Sequence, residues 1–142
     1  MSKFSKLLSL LIAFVLTSCG DSLKEKVVSR YDNGQPAKVK YLDKEDVCVR
    51  EVEYYEDGKL YMEGPIKDDL REGEWFAYFP DGKVQSSGIF VQGKNHGKHQ
   101  IFYENGQLWM DGYYKEDQKC GEWIIYDEQG YEIARLNYGD CD

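Results

Sequence analysis

Glycine returns along this chain at a fixed interval of 24 residues, in three series held in one register: Gly58, Gly82 and Gly106; Gly64, Gly88 and Gly112; and Gly73, Gly97 and Gly121. Rings keep the same interval. Tyr78, Phe102 and Tyr126 close each block, with Trp75, His99 and Trp123 three residues earlier. Gly34 and Gly130 extend the register in both directions, so blocks start near residues 31, 55, 79, 103 and 127 and a repeat domain covers 27–142. A period in this range marks stacked units, each too small to bury an apolar face alone. It implies an extended surface rather than a catalytic pocket.

Each block opens on a turn signal: Asp32-Asn33-Gly34, Glu56-Asp57-Gly58, Pro80-Asp81-Gly82, Glu104-Asn105-Gly106 and Glu128-Gln129-Gly130. Pro, Asp and Gly in succession suit a type I turn whose third loop residue is left-handed and forms a bulge. Glycine is wanted there because it has no Cβ to clash at positive φ. Between the turns, runs such as Lys83–Val91, Gln107–Lys115, Glu74–Phe79 and Glu122–Asp127 alternate with period two, as strands do. No block has room for a crossover helix, so neighbouring strands are expected to be antiparallel. The fold class that follows is all-β: an elongated antiparallel meander of hairpins, about ten strands in one open sheet.

A loop at Pro80–Gly82 sets Phe79 opposite Lys83, Ala77 opposite Gln85 and Trp75 opposite Ser87 on one face. Tyr78 then faces Val84, and Phe76 faces Ser86, on the other. That second face also gathers Leu60, Met62, Ile66, Phe90, Leu108, Met110, Tyr114, Ile124 and Leu136, and is expected to be the more buried one. Gly64, Gly88 and Gly112 fall within it, and rings from adjacent strands are expected to lie over these mid-strand glycines. Trp75, Trp109 and Trp123, with Tyr61, Tyr103 and Tyr113, would line the opposite face as the candidate binding surface, since aromatics are enriched at binding hot spots. A thin sheet also uses rings on both faces to cover its own backbone, and that reading carries equal weight. The first block has Lys40, Val49 and Glu51 where later ones have Gly, Gly and Trp or His, and the last has Leu136 for Gly, so both ends read as caps.

Residues 1–18 have a basic start, Lys3 and Lys6, then an apolar run, Leu7–Leu16, half the length needed to span a membrane as a helix. The run ends Leu16-Thr17-Ser18-Cys19-Gly20, which resembles the lipobox of bacterial lipoproteins. That resemblance implies cleavage before Cys19 and its modification with acyl chains such as palmitate, several of which anchor a protein stably where one does not. The expected organisation is a signal peptide over 1–18, a tether over 19–26, a first strand near Val27, and a chain held at the cell envelope by its N-terminal lipid. The net charge of −8, more negative by two once Lys3 and Lys6 leave with the leader, disfavours nucleic acid as a partner.

The blocks themselves resemble MORN repeats, in the bacterial variant often described as antitoxin-like. The matching residues are Tyr103-Glu104-Asn105-Gly106, Gly112-Tyr113-Tyr114 and Gly121-Glu122-Trp123 through Tyr126, with the same frame at 55–78 and, less fully, at 79–102. The resemblance covers about residues 31–138. It implies an elongated sheet of hairpins that binds protein or lipid without catalysis. A binding or scaffolding module for a protein, lipid or glycan partner is the leading expectation, and an antitoxin-like or immunity protein neutralising a toxin is the alternative.

No nucleophile with its base is legible, no cofactor is implied and no enzyme is expected. His96 and His99 lack convergent ligands, and His99 holds the ring position of Trp75 and Trp123, so a metal is not expected there. Acidic loops at Asp43–Asp46, Lys67–Asp69 and Lys115–Asp117 read as a solvated, charged sheet edge. Cys48 and Cys120 share a repeat position three blocks apart, roughly 29 Å in an open sheet and beyond disulfide reach. Extending the last hairpin brings Cys141 near Cys120, so a Cys120–Cys141 disulfide with Cys48 free is expected.

Overall fold

The computed structural model describes residues 22–142; the leader and Cys19 lie outside the described residues. Alternating runs without room for helix give one antiparallel meander, with strands β1 (Lys24–Arg30), β2 (Pro36–Leu42), β3 (Cys48–Tyr54), β4 (Leu60–Lys67), β5 (Leu70–Arg71), β6 (Gly73–Tyr78), β7 (Val84–Val91), β8 (Lys94–Phe102), β9 (Leu108–Lys115), β10 (Gln118–Tyr126) and β11 (Glu132–Asn137). The strands pair in chain order in a single open sheet from β1 to β11, except that β4 pairs with β6 and the short β5 pairs only with β4. The first strand begins inside the expected tether. Lys24 pairs with Leu42 and its ammonium reaches Asp46 at 2.7 Å, which extends β1 three residues ahead of Val27.

The turns that open the blocks share one geometry. Gly34, Gly58, Gly82, Gly106 and Gly130 have φ between 83° and 87°. In the Pro80 turn, Phe79 N donates to Lys83 O and Gly82 N to Phe79 O, both at 2.8 Å, while Asp81 Oδ1 accepts the Lys83 amide at 3.0 Å.

The bulge after this turn corrects the expected faces. Tyr78 pairs with Val84, but Ala77 then pairs with Ser86 and Trp75 with Gly88, because Gln85 is the extra residue. A slip of one residue moves a strand's side chains to the other face relative to its partner. Trp75 and Ala77 therefore share a face with Gly88, Met62, Ile66 and Phe90, while Phe76 turns to the opposite side. The last hairpin behaves alike: Trp123 pairs with Leu136, and Ile124 pairs with Asp111 and Arg135 on the other face.

The third glycine series makes a second bulge that the sequence did not reveal. Gly73, Gly97 and Gly121 all have positive φ, and between Cys120–Tyr113 and Ile124–Asp111 strand β10 carries two residues more than β9. Hairpin loops at the opposite edge are tight, with both central residues left-handed at Asp68-Asp69 (52°, 60°), Gln92-Gly93 (49°, 82°) and Glu116-Asp117 (47°, 68°). That is the pattern of type I′ hairpins, and it explains the Asp there, which tolerates positive φ better than most residues.

Candidate functional site

The second glycine series and the ring series meet in one cross-sheet row. Trp75 pairs with Gly88, Gly88 with His99, and His99 with Gly112. A Cβ placed on Gly64 would collide with the Trp75 ring, one on Gly112 with the Trp123 ring, and one on Gly88 would lie 2.6 Å from His99 Nδ1. The indole N–H of Trp75 donates to Pro65 O at 3.0 Å and that of Trp123 to Tyr113 O at 3.1 Å, one repeat position seen twice. At the N-terminal end Lys40 and Glu51 occupy the glycine and ring places; Glu51 is 8% exposed and accepts Lys38 Nζ at 2.9 Å, so an ion pair caps the row.

This row removes two residues from the candidate binding surface. Trp75 is 3% exposed and Trp123 1%; both are core, because the bulge turned them onto the glycine face. Trp109 and Tyr113 remain exposed at 39% and 47%, and Tyr61 and Tyr103 are half-buried. Tyr61 packs on Tyr55 with ring centres 5.0 Å apart, and Trp109 on Tyr103 at 5.9 Å, the same ring pair two blocks apart. Between β4 and β9 lie four strand spacings, about 19 Å. On the β9 side, Phe79, Gln85, Ile101 and Phe102 join Tyr103 and Trp109 around a shallow apolar groove of about 280 Å³.

The turn tyrosines are fixed by a ladder not foreseen from the sequence. The hydroxyls of Tyr31, Tyr55 and Tyr103 donate to the carbonyls of Tyr54, Tyr78 and Tyr126 at 2.7, 2.7 and 2.9 Å. Phe79, at the same position, has no hydroxyl to offer. The signal is tyrosine at the same place before three of the five turns, Tyr31, Tyr55 and Tyr103. Asn33 and Asn105 add amide bonds to the carbonyls of Glu56 and Glu128 in the next turn, at 2.9 and 3.0 Å.

The electrostatics are local. Burial alone would raise the Glu63 carboxyl, but hydrogen bonds from Arg50 and from the Tyr78 hydroxyl outweigh it and hold it below the usual carboxylate range. Burial, then that same bond to Glu63, pushes Tyr78 up to about 12. His99 covers Gly88, packs at 5.3 Å from the Tyr114 ring, and is pushed below its ordinary value by burial and, second, by the Lys119 charge. His96 is exposed. The acidic loops are stapled to neighbouring hairpins: Asp117 Oδ1 accepts Asn95 N and Nδ2 at 2.8 and 2.9 Å, and Glu116 and Asp69 meet Lys94 and Lys40, both at 3.3 Å. Cys120 and Cys141 form a disulfide with Cα atoms 5.1 Å apart, and Cys48 is free and buried.

Stacked hairpins of fixed period in one sheet define the chain as a β-repeat protein. Residues 49–68, 71–92 and 95–116 match the model of the MORN repeat variant. No curated protein sequence matches the chain. Among solved structures, the chain is similar to one titled as a glycosylation-associated protein (Gap123) complex from Streptococcus agalactiae, at 15% identity and a TM-score of 0.49, over 83% of this chain and 21% of that one. The chain thus spans about a fifth of that structure's own length.

Proposed function

We propose that this is a lipid-anchored repeat protein of the cell envelope that acts without catalysis as a binding module for a protein partner. The observation that carries the reading is the exposure of Trp109, packed at a tilt on a Tyr103 that is itself pinned to Tyr126, beside an apolar groove. Rigid, pre-positioned rings supply binding energy at low entropic cost. Tyr55 and Tyr61 repeat the arrangement two blocks away, which suits a partner that spans the sheet. Anchoring rests on the Leu16-Thr17-Ser18-Cys19 sequence, with Cys19 as the lipidated residue. Two measurements test the two halves. Cys19→Ser should move the protein from membrane to soluble fractions, and unchanged fractionation would remove the anchor. Capture of an envelope protein by the native chain, lost in Trp109→Ala, should identify the partner; equal capture by the variant would remove the surface.

A further inference from the structure

One block lacks a ring pair that its neighbours carry. In the blocks that start at residues 55 and 103, the turn tyrosine packs against the ring six residues on: Tyr55 on Tyr61 with ring centres 5.0 Å apart, and Tyr103 on Trp109 at 5.9 Å. The block between them has Phe79 and Gln85 at these two places. Gln85 brings no ring to pack on Phe79. Phe79, for its part, brings no hydroxyl to the Phe102 carbonyl, whereas the carbonyls at the same place in other blocks, those of Tyr54, Tyr78 and Tyr126, accept tyrosine hydroxyls at 2.7, 2.7 and 2.9 Å. The apolar groove opens at this gap. Phe79 and Gln85 line one side and Tyr103 and Trp109 the other, with Ile101 and Phe102 on β8 between them.

We infer that the gap takes a tyrosine side chain of the protein partner, from a segment in which a basic residue adjoins it; the inference rests on the binding-surface reading above. The incoming ring takes against Phe79 the place that Tyr61 and Trp109 fill in their own blocks, at the separation at which tilted aromatic pairs attract. Its hydroxyl supplies the donor that Phe79 does not give to the Phe102 carbonyl. A phenylalanine would cover that carbonyl without bonding it, and a polar group that loses water without gaining a partner costs free energy.

Charge selects the neighbouring residue. Lys83 lies close by, its ammonium on the Glu104 carbonyl at 2.8 Å, but the Asp81 carboxylate already holds it at 2.9 Å. The Glu104 carboxylate, beside the groove, makes no ion pair among the described residues. Asp81 and Glu104 against Lys83 leave this rim with one more acid than base, on a chain of net charge −8. A lysine or arginine next to the tyrosine meets that spare carboxylate, and the field of the whole chain draws a basic segment towards it.

The chain has three tryptophans, of which Trp109 lines the groove while Trp75 and Trp123 are buried. Their indole N–H signals in the NMR spectrum of the full chain therefore read the site and two internal controls together. Titration with acetyl-Tyr-Lys-amide should shift Trp109 saturably and leave Trp75 and Trp123 in place. Acetyl-Phe-Lys-amide and acetyl-Tyr-Glu-amide should each bind about threefold more weakly or worse, the effect of losing one modest hydrogen bond or exposed ion pair. Gln85→Tyr, which puts a ring in the gap, should abolish the response. Phe79→Tyr, which supplies the hydroxyl from within, should bring the Tyr-Lys peptide down to the level of the Phe-Lys one. An equal response to the three peptides, or undiminished binding of the first by Gln85→Tyr, overturns the inference. Should Gln85→Tyr melt below the parent, Phe79→Tyr decides: a preference for the Tyr-Lys peptide that survives in it overturns the inference, and its loss supports it. Partner capture separates this from the reading beneath it. Capture retained by Trp109→Ala removes that reading and the inference with it, whereas capture lost there but full in Gln85→Tyr overturns the inference alone.

Discussion

Trp75 fills the space that a side chain at Gly64 would need, and Trp123 does the same at Gly112. The glycine and the ring are one unit of the repeat, set on neighbouring strands joined by the tight loops, where Gly73 and Gly121 make the second bulge. Gly64→Ala or Gly112→Ala should lower stability by roughly 1–3 kcal/mol, as overpacking does. Trp123→Ala should cost about 3–5 kcal/mol, because a large buried ring leaves a cavity. Chemical denaturation with a common slope checks both.

Gly82 is glycine for another reason. It has φ of 87° and nothing within 4 Å of a Cβ, so a side chain there meets strain without a clash. Gly82→Ala should cost on the order of 1 kcal/mol, less than Gly64→Ala. Equal or reversed costs would contradict this division of roles between the two glycine series.

Phe79 interrupts the tyrosine ladder. Phe79→Tyr should add a bond to the Phe102 carbonyl and raise stability by about 0.5–1.5 kcal/mol, and Tyr103→Phe should lower it by a similar amount. Thermal melts of the two variants against the parent read the effect.

Acid should weaken the sheet in two stages. His99 has a folded value below its ordinary 6.5, so the unfolded chain takes the proton first and stability falls as pH drops below about 6.5. Glu63 is likewise depressed, from an ordinary 4.5, so its contribution holds above that value and is lost as pH falls through the lower folded one. His99→Phe should abolish the first stage alone. Melting temperature followed from pH 8 to 3 separates the stages.

Reduction should loosen the last strand. The Cys120–Cys141 bond closes a segment of 21 residues, and Gly121 N to Gly139 O and Tyr138 N to Gly121 O, at 2.6 and 3.0 Å, lie beside it. A loop of this size is worth about 3 kcal/mol in the chain-entropy view. Hydrogen exchange at Gly121 and Tyr138 should rise on reduction while the amides of β6 and β7 stay protected.

Much of this was legible because the repeat states it three times. Gly82 and its copies gave the turns, alternation gave the strands, and the lack of room for helix gave antiparallel order. The faces were half legible. Alternation puts Met62, Ile66, Phe90 and Met110 together on the strands after each turn, but it exchanges Trp75 and Trp123 with Phe76 and Ile124, because one bulged residue, Gln85 in its block, reverses the pairing parity. A bulge signal fixes that an extra residue exists but not which strand absorbs it. The ladder from Tyr103 to the Tyr126 carbonyl depends on contacts between blocks, which alternation within a block does not encode.

The glycine row holds the fold while rings of the other face are free to bind, and Trp109 separates the two roles. Melting temperature and partner capture should be measured together on Trp109→Ala. The melting temperature should stay within a degree or two of the parent, as for a surface change of about 0.5 kcal/mol, with capture lost; a lowered melting temperature with capture retained would overturn this division of the two faces.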